Sequence, residues 1–330
     1  MAFVELVVQR VCLAAAVALA LGCSAAKQPT KPVKSPVSAA AQSAQLVSVR
    51  LPGTRVTLKL PRGYVRPTRS ALILRQDDAV RVLIQDFNDL GDPEKSLAGL
   101  KEALLQQTDG TARFQPTRRS GAEGFNVTGQ SGQGELRGIV VKAPKFVASV
   151  LVLCRKDVAE AERIVELAEF DLNGEANALE LLGLELNLGD RYDVLTLAAQ
   201  AVVVPKGLRP PLPPGTPRLV VAALPHPRGK PLDDRSQGQL LGGAIESFAP
   251  DMSQAKLATV RVDGTTANEL SVPGTDQDKP VIVYGLVLPD EHDTLLLFGT
   301  AASEPQLAEL RALAQSLHRK PGIVGRLEPG

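Results

Sequence analysis

The chain has 330 residues, of which 44% are apolar, so it can bury one or more hydrophobic cores and is not a wholly disordered protein. Aromatic residues make up only 3% of the chain, and the formal net charge is +1. These values argue against nucleic acid as a partner, because nucleic-acid-binding proteins need aromatic stacking platforms or a strong positive charge. Residues 27–75 contain ten basic side chains and no acidic one, whereas residues 76–330 carry an acidic excess. The basic stretch is either neutralised by folded neighbours or attracted to anionic lipid.

The N-terminal segment has the pattern of a secretory leader. Residues 11–22, VCLAAAVALALG, form an apolar run behind Arg10 that is shorter than the ~20 residues needed to span a membrane. The run leads into residues 19–23, LALGC, which resemble the lipobox of bacterial lipoproteins. The resemblance implies cleavage after Gly22 and lipidation of Cys23 with diacylglyceryl and an acyl chain such as palmitate, which together make a lasting anchor. The alternatives are ordinary signal-peptide cleavage with an unmodified Cys23, or an uncleaved short anchor.

The segment after this cysteine, residues 23–44, is rich in alanine, proline, serine and lysine and has no apolar period. We therefore predict a disordered tether between the lipidated cysteine and the folded part of the chain. Ser24 stands where, in the lipoprotein family, an aspartate would retain the protein in the inner membrane, which favours the outer membrane facing the periplasm. Cys154 ends an apolar strand-like run and is predicted to be a buried, unreactive thiol.

The rest of the chain contains an internal repeat. Residues 56–60 and 201–204 each read as a strand, and each runs into a proline, a basic residue and a glycine. The two prolines, Pro61 and Pro205, are 144 residues apart. The sequence therefore predicts two copies of one structural unit.

A helix is predicted after the opening strands of each copy. In the first copy, Asp92 is a candidate N-cap, Pro93 suits the first turn, and leucines follow at helical spacing. In the second copy, Ser236 with Gln239 resembles a capping box ahead of a similar apolar stripe. Apolar, strand-like runs follow both helices and indicate antiparallel sheets, and they cover residues 123–128, 136–143, 147–153, 257–262, 281–288 and 294–299.

Each copy closes with a second predicted helix, capped by Asp157 in the first copy and by Ser303 in the second. A turn at Asn173 and Gly174 marks the boundary between the copies. The predicted organisation is a lipoprotein signal peptide (1–22), a lipidated cysteine with its tether (23–44), a first domain (45–172), a second domain (180–318) and a flexible tail (319–330).

The order of strands, helix, antiparallel strands and closing helix resembles the PsbP-like fold, which also occurs in Mog proteins and in DcrB-type bacterial lipoproteins. The opening residues 56–64 and 201–208 and the closing residues 150–170 and 295–317 carry this resemblance. It implies an α+β fold class, with two tandem repeats that each form an antiparallel β-sheet flanked by helices. It also implies assembly, docking or apolar-ligand binding rather than chemistry. Another α+β sandwich would give the same pattern.

Motifs for metal or phosphate binding are incomplete. Residues 86–91, DFNDLG, begin like a calcium loop, but leucine stands at the fifth and twelfth positions, where ligands are needed. His292 lies between two acidic residues in a predicted turn, and His226 lies between two prolines, so neither has the partners that zinc requires. The glycines within residues 129–138 are not followed by the lysine of a phosphate loop. We predict no catalytic residue, cofactor or metal site.

The function predicted from these features is that of a non-catalytic binding or adaptor lipoprotein of the bacterial cell envelope. Its partners would be the membrane, through lipid on Cys23, and an envelope protein. The proline-rich residues 205–217 are either an exposed docking element or a stiff connecting loop. An alternative function is a periplasmic carrier of an apolar small molecule or lipid, held between sheet and helix. A third is a hydrolase, which would require His226 or His292 to meet carboxylates from elsewhere in the chain.

Overall fold

A computed structural model describes residues 46–88, 92–226 and 232–327. The predicted leader, the lipidated Cys23 and the tether at 23–44 lie outside the described residues, as do residues 89–91 of the calcium-like segment. Within the described ranges, no helix is long and apolar enough to cross a membrane.

In the first half of the chain, short strands precede a long helix, and a four-strand meander and a second helix follow. The elements are β1 (Val47–Arg50), β2 (Val56–Leu60), β3 (Tyr64–Arg66), β4 (Leu72–Arg75), β5 (Val80–Asn88), α1 (Pro93–Gln107), β6 (Arg113–Arg119), β7 (Ala122–Ser131), β8 (Gly134–Ala143), β9 (Phe146–Cys154), α2 (Val158–Glu166) and β10 (Glu169–Phe170).

The second half opens with a short helix and then follows a similar order. Its elements are α3 (Ala178–Leu182), β11 (Leu184–Glu185), β12 (Tyr192–Ala198), β13 (Gln200–Pro205), β14 (Arg218–Pro225), α4 (Asp234–Ile245), β15 (Lys256–Val262), β16 (Thr265–Asp276), β17 (Lys279–Pro289), β18 (Asp293–Ala301), α5 (Glu304–Gln315), β19 (His318–Arg319) and β20 (Gly325–Arg326).

The fold is mostly antiparallel β-sheet with few helices. One sheet runs through both halves in the order β15-β16-β17-β18-β14-β13-β12-β5-β9-β8-β7-β6. The order β6-β7-β8-β9-β5 in the first half has its counterpart in β15-β16-β17-β18-β14 in the second. The assignment of the two halves to the PsbP-like fold stays a prediction.

The two halves meet along one strand of this sheet. Strand β5 pairs with β4 of its own half through residues 81–83, and with β12 of the second half through Asp86 and Phe87. Both neighbours therefore share one edge of β5, while β9 occupies the other edge along its whole length. This split edge joins the halves into a single sheet, so the residues at the end of β5 lie at the boundary between them.

Helices and short strands cover the sheet on both faces, and the buried side chains form four clusters. One of them, packed beneath α1, takes residues from both halves: Leu100 and Phe125 lie in it together with Leu197, Val202 and Val220. The two halves consequently share a hydrophobic core as well as a sheet, because separating them would expose these side chains to water.

The flexible tail is predicted at 319–330, and two short strands, β19 and β20, lie within residues 318–326. Strand β19 pairs with β11, and β20 pairs with β3 in the first half through Gly325 and Arg66. The pairing arises because the end of the chain crosses back over the boundary between the halves, which gives its backbone groups partners that no local pattern reveals.

Of the four predicted side-chain caps, Asp92 alone forms one; Ser303 stands at the start of α5, but its side chain makes no capping hydrogen bond. Asp92 caps α1 as predicted, and its side chain accepts hydrogen bonds from the backbone N–H groups of Glu94 and Lys95. Asp233, not Ser236, caps α4 and accepts the Ser236 N–H, so the helix begins earlier than the predicted capping box. Asp157 lies in the left-handed region at φ +64° and caps nothing with its side chain, because its carboxylate pairs with Arg75 at 2.6 Å.

Candidate functional site

A half-open cleft of about 1260 Å³ lies where the first half meets the connector between the halves. One wall is the end of the first-half sheet, including Arg118, Glu123 and Lys142. The opposite wall is the connector of residues 172–177, together with Val194 of β12. The cleft lies beside the end of β5, at Asn88.

Arg55 forms the base of the cleft and is 4% exposed. Its guanidinium contacts Asp86 Oδ1 at 2.5 Å and donates to Asn88 Oδ1 at 3.1 Å and to the Gly174 carbonyl at 2.8 Å. The same group lies 4.2 Å from the centre of the Phe146 ring, within the range of a cation–π contact. Arg55 thus links strand β5, the β8–β9 hairpin and the connector in one network.

Asp86 is 1% exposed, and it also accepts the backbone N–H of Arg55 at 3.2 Å. Burial raises the pKa of this carboxyl, because the charged form loses its hydration, and the charge of Arg55 and its hydrogen bonds act in the opposite direction. Since the contact at 2.5 Å is charge-assisted, the pair forms the rigid floor of the cleft rather than a free acid.

The connector wall is fixed by local hydrogen bonds. Asp171 accepts the N–H groups of Asn173 and Gly174 at 3.1 and 2.9 Å, which closes the turn predicted at this place. Asn177 then caps α3 by accepting the Leu179 N–H at 3.0 Å. The carbonyl of Gly174 is held between these two anchors and points at Arg55.

Charges of both signs line the rim. Lys142 is paired with Glu94, and Arg118 lies 3.4 Å from Glu123. Lys145, in the turn between β8 and β9, is exposed and has no ion pair within the described ranges. The rim is therefore polar and roughly balanced in charge, with solvent-exposed pairs that cost little to rearrange.

Such a cleft suits an inserted polypeptide segment better than an apolar small molecule. Ligand pockets for small molecules are usually ~300–1,000 Å³ and mostly apolar. This cleft is larger and half open. Its lining is mixed: charged and amide side chains alternate with apolar ones such as Leu172, Val194 and Phe146. No histidine or cysteine is among the side chains that line it.

The calcium-like segment takes another role where it is described. Asp86 and Asn88, its first and third positions, both face Arg55 and are used in the hydrogen bonds given above. Among the residues that the structure describes, no group of three or more histidine, cysteine, aspartate or glutamate side chains could hold a metal ion.

The histidines do not meet at one place. His226 is buried, and its Nε2 lies 3.2 Å from Thr294 Oγ1. It interacts electrostatically with the fully buried Asp293, whose pKa is raised by burial and lowered in part by its contacts with Arg69. His292 is exposed and lies 3.9 Å from Glu291. None of these side chains lines the cleft.

The proline-rich residues 205–217 lie partly against the shared core. Leu208 and Leu212 pack on it, and Arg209 pairs with Asp193 at 3.0 Å. Gly215 donates its N–H to Asp276 at 2.8 Å. These contacts favour the connecting loop over the exposed docking element.

Sequence analysis missed Arg55, the central residue of the cleft. It stands in the basic stretch with no motif around it, and its ionic partner is 31 residues away in the sequence. The only signal was its place beside the strand of residues 56–60, which is not specific.

No family model matches this chain, and no curated protein matches it. Among solved structures, it is similar to the immunity protein TplEi of the T6SS from Pseudomonas aeruginosa, complexed with "L" peptide. The identity is 13% over 85% of this chain and 100% of that chain, with a TM-score of 0.31. It is also similar to a chain of the Tle4-Tli4 complex, at 12% identity over 84% of this chain and 98% of that one, with a TM-score of 0.32. At these TM-scores the likeness transfers neither fold nor partner to the chain.

Proposed function

We propose that this chain is a non-catalytic binding protein of the bacterial cell envelope, whose cleft around Arg55 receives a segment of a partner protein. The observation that carries the proposal is the cleft itself, about 1260 Å³ in volume and half open, with a rigid polar floor. In the second part of the proposal, lipid on Cys23 anchors the protein to the outer membrane, on the side that faces the periplasm.

The floor is held in place before a partner binds, and a preorganised surface loses less conformational entropy on binding than a mobile one. Arg55 and Phe146 are held in this way by Asp86 and the connector. A partner segment would find a preorganised surface there and would not have to order it.

The rim adds selectivity. Lys142, Arg118 and Lys145 lie beside Glu94 and Glu123, so a segment with charges in the complementary order would bind, and one with the reverse order would be repelled. The lining is mixed, with charged side chains on the rim, and is less apolar than the pockets that usually hold lipids or other apolar molecules.

The test is photo-cross-linking in cells at two lysine positions, one beyond each end of β9. A photoreactive residue at Lys145, in the cleft, is compared with the same residue at Lys156, and the two ends of β9 are ~26 Å apart by strand geometry. We expect a discrete cross-linked protein from position 145 only, and mass spectrometry then identifies it. Equal products from both positions, or none from position 145, would refute the cleft as the binding site.

Partner binding to purified protein, measured with and without Arg118→Glu and Lys145→Glu, should weaken when these rim charges are reversed.

The anchor is tested separately by intact mass spectrometry of membrane-fraction protein, with wild type beside Cys23→Ala. A mass that begins at Cys23 and includes acyl chains, lost in the variant together with membrane association, would support lipidation. An unmodified chain would overturn the anchor and leave the proposal for the cleft intact.

A further inference from the structure

The two edge strands of the long sheet occupy equivalent positions. Strand β6 pairs with β7, and β15 pairs with β16, and within the described ranges each has this one neighbour in the sheet. The registers match: Phe114 is opposite Val127 in the first half, and Leu257 is opposite Leu270 in the second. Residues of β6 and β15 can therefore be compared position by position.

Strand β6 is protected against pairing with another strand. Pro116 has no N–H to offer, and Arg113, Arg118 and Arg119 place charges along the edge. Its apolar residue, Phe114, is covered by the ring of Phe125, at 5.1 Å between centroids in an edge-to-face contact.

Strand β15 also carries basic residues, but it lacks two of these protections, the proline and the ring that covers the apolar side chain. Thr259 of β15 occupies the position that Pro116 occupies in β6: Thr259 is opposite Asn268, as Pro116 is opposite Phe125. At this position β15 therefore has a backbone N–H and β6 has none. Leu257 stands in the place of Phe114 and is 76% exposed. Proline is tolerated in an edge strand where the N–H would not bond to the neighbouring strand. Because Pro116 stands at this position in β6, the N–H of Thr259 points away from the sheet.

We propose that β15 is a docking edge that takes an extended, acidic segment of a partner polypeptide as an additional strand. The backbone of the segment would pair with the open edge, and one of its apolar side chains would cover Leu257. This site lies at the opposite end of the strand order from β6, β7 and β8, which help to line the cleft, so it is separate from the cleft.

The charge of β15 indicates which kind of segment can pair with it. Lys256 and Arg261 are exposed on β15, and the strand has no acidic residue. A second copy of the chain, paired edge to edge, would bring these four positive charges together along one seam. The chain's own segment at residues 27–34 contains three lysines and no acidic residue, so it carries the same sign. An acidic segment from another protein would form favourable charge contacts with both Lys256 and Arg261, near the two ends of the strand.

The test uses a fluorescent, end-blocked peptide of about eight alternating valine and glutamate residues, a typical strand length, and the full chain. Binding is measured by fluorescence anisotropy and located by amide hydrogen exchange. We expect slower exchange in β15, and about tenfold weaker binding when lysine replaces glutamate in the peptide. No binding up to ~1 mM, the weak end of measurable affinity, or protection that maps elsewhere, would overturn the proposal.

Two variants distinguish pairing at the β15 edge from non-specific binding of the peptide. Thr259→Pro removes the outward N–H as in β6, and Leu257→Asp places a negative charge where the peptide should lie. Each should weaken peptide binding at least about tenfold while the melting temperature and cross-linking at position 145 stay unchanged. Unchanged binding in Leu257→Asp, which alters only an exposed side chain, would refute the site even if Thr259→Pro fails to fold. Self-association by sedimentation that Thr259→Pro abolishes would instead identify a second copy as the occupant.

Discussion

Arg69, in the first half of the chain, donates its backbone N–H to Oδ2 of Asp293, in the second half, at 2.7 Å. The Arg69 side chain lies 3.2 Å from Asp290, and it also donates to the carbonyl of Lys320 at 3.1 Å. Arg319 reaches Asp290 from the other side at 3.3 Å. One loop of the first half is thus held by the β17–β18 turn and by the end of the chain, in addition to the shared sheet and core.

These contacts, called the joint between the halves below, predict that the protein loses stability in acid. The pKa of the Asp290 carboxyl is below its usual range. Burial alone would raise this pKa, but the hydrogen bond from the Glu291 N–H and the charges of Arg69 and Arg319 lower it by more. A carboxyl whose native pKa is below its unfolded pKa of ~4 stabilises the fold above that pH, and the contribution disappears as the pH falls through the native value. Asp290→Asn should therefore lower the free energy of unfolding at about pH 7 and have a smaller effect at about pH 3, measured by urea denaturation.

Glu102→Gln is the control for this experiment. Glu102 lies on the exposed side of α1 and makes no ion pair within the described ranges. Its replacement should change the free energy of unfolding by less than ~0.5 kcal/mol at either pH. An Asp290→Asn variant that is as stable as wild type at neutral pH would contradict the role of the joint.

The buried pair at the floor of the cleft predicts a large stability loss. Asp86→Asn removes the negative charge and leaves Arg55 buried and uncompensated, which costs ~3–5 kcal/mol for pairs of this kind. Glu169→Gln makes the same chemical change in the exposed Lys59–Glu169 pair and should cost less than ~1 kcal/mol. The free energy of unfolding in urea gives both values.

A further variant tests whether the loss comes from the unpaired charge. In the double variant Arg55→Met with Asp86→Leu no buried charge remains, so it should recover part of the stability lost in Asp86→Asn. It should still bind the partner less tightly, because the hydrogen bonds by which Arg55 holds Asn88 and the Gly174 carbonyl are gone. Equal costs for Asp86→Asn and Glu169→Gln would show that the floor pair is not a structural element.

The sequence predicted the features that depend on neighbouring residues. Asp92 followed by Pro93 has the chemistry of a helix start in any context, and α1 begins there. The prediction failed at Ser236 because two possible caps stand three residues apart, and Asp233 takes the bond. It failed at Asp157 because a distant partner, Arg75, offers the carboxylate an ion pair instead of a cap.

The candidate site and the contact between the two halves each depend on a pair of residues that are distant in the sequence. Arg55 meets Asp86 across 31 residues, and Arg69 meets Asp293 across 224. No local spacing encodes such contacts, because they follow from how β5 shares its edge between β4 and β12. The alternation of apolar residues predicted antiparallel strands, but it could not predict that the two halves form one sheet.

Two glycines, Gly238 in α4 and Gly299 in β18, predict opposite effects of the same substitution. Gly238 is exposed inside the helix with open space around it, so Gly238→Ala should raise the free energy of unfolding by about 1 kcal/mol. Gly299 lies in β18, where a Cβ would overlap the backbone carbonyl of Arg218 on β14. Gly299→Ala should lower stability by ~1–3 kcal/mol through forced separation of these strands. Thermal unfolding of both variants distinguishes the effects, and a neutral Gly299→Ala would contradict the close strand contact.

Cys154 should be unreactive in the folded protein. It is buried in the first-half core, burial raises the pKa of its thiol, and its Sγ lies 3.5 Å from the carbonyl of Glu135. Since the thiolate is the reactive form, a raised pKa and the lack of solvent access both slow alkylation. In a chain with Cys12→Ala and Cys23→Ala, iodoacetamide should label Cys154 slowly in buffer and completely in urea. Adding Lys156→Cys, two residues further on and exposed, supplies a fast-labelling control in the same molecule, and equally fast labelling of Cys154 without urea would place it outside the core.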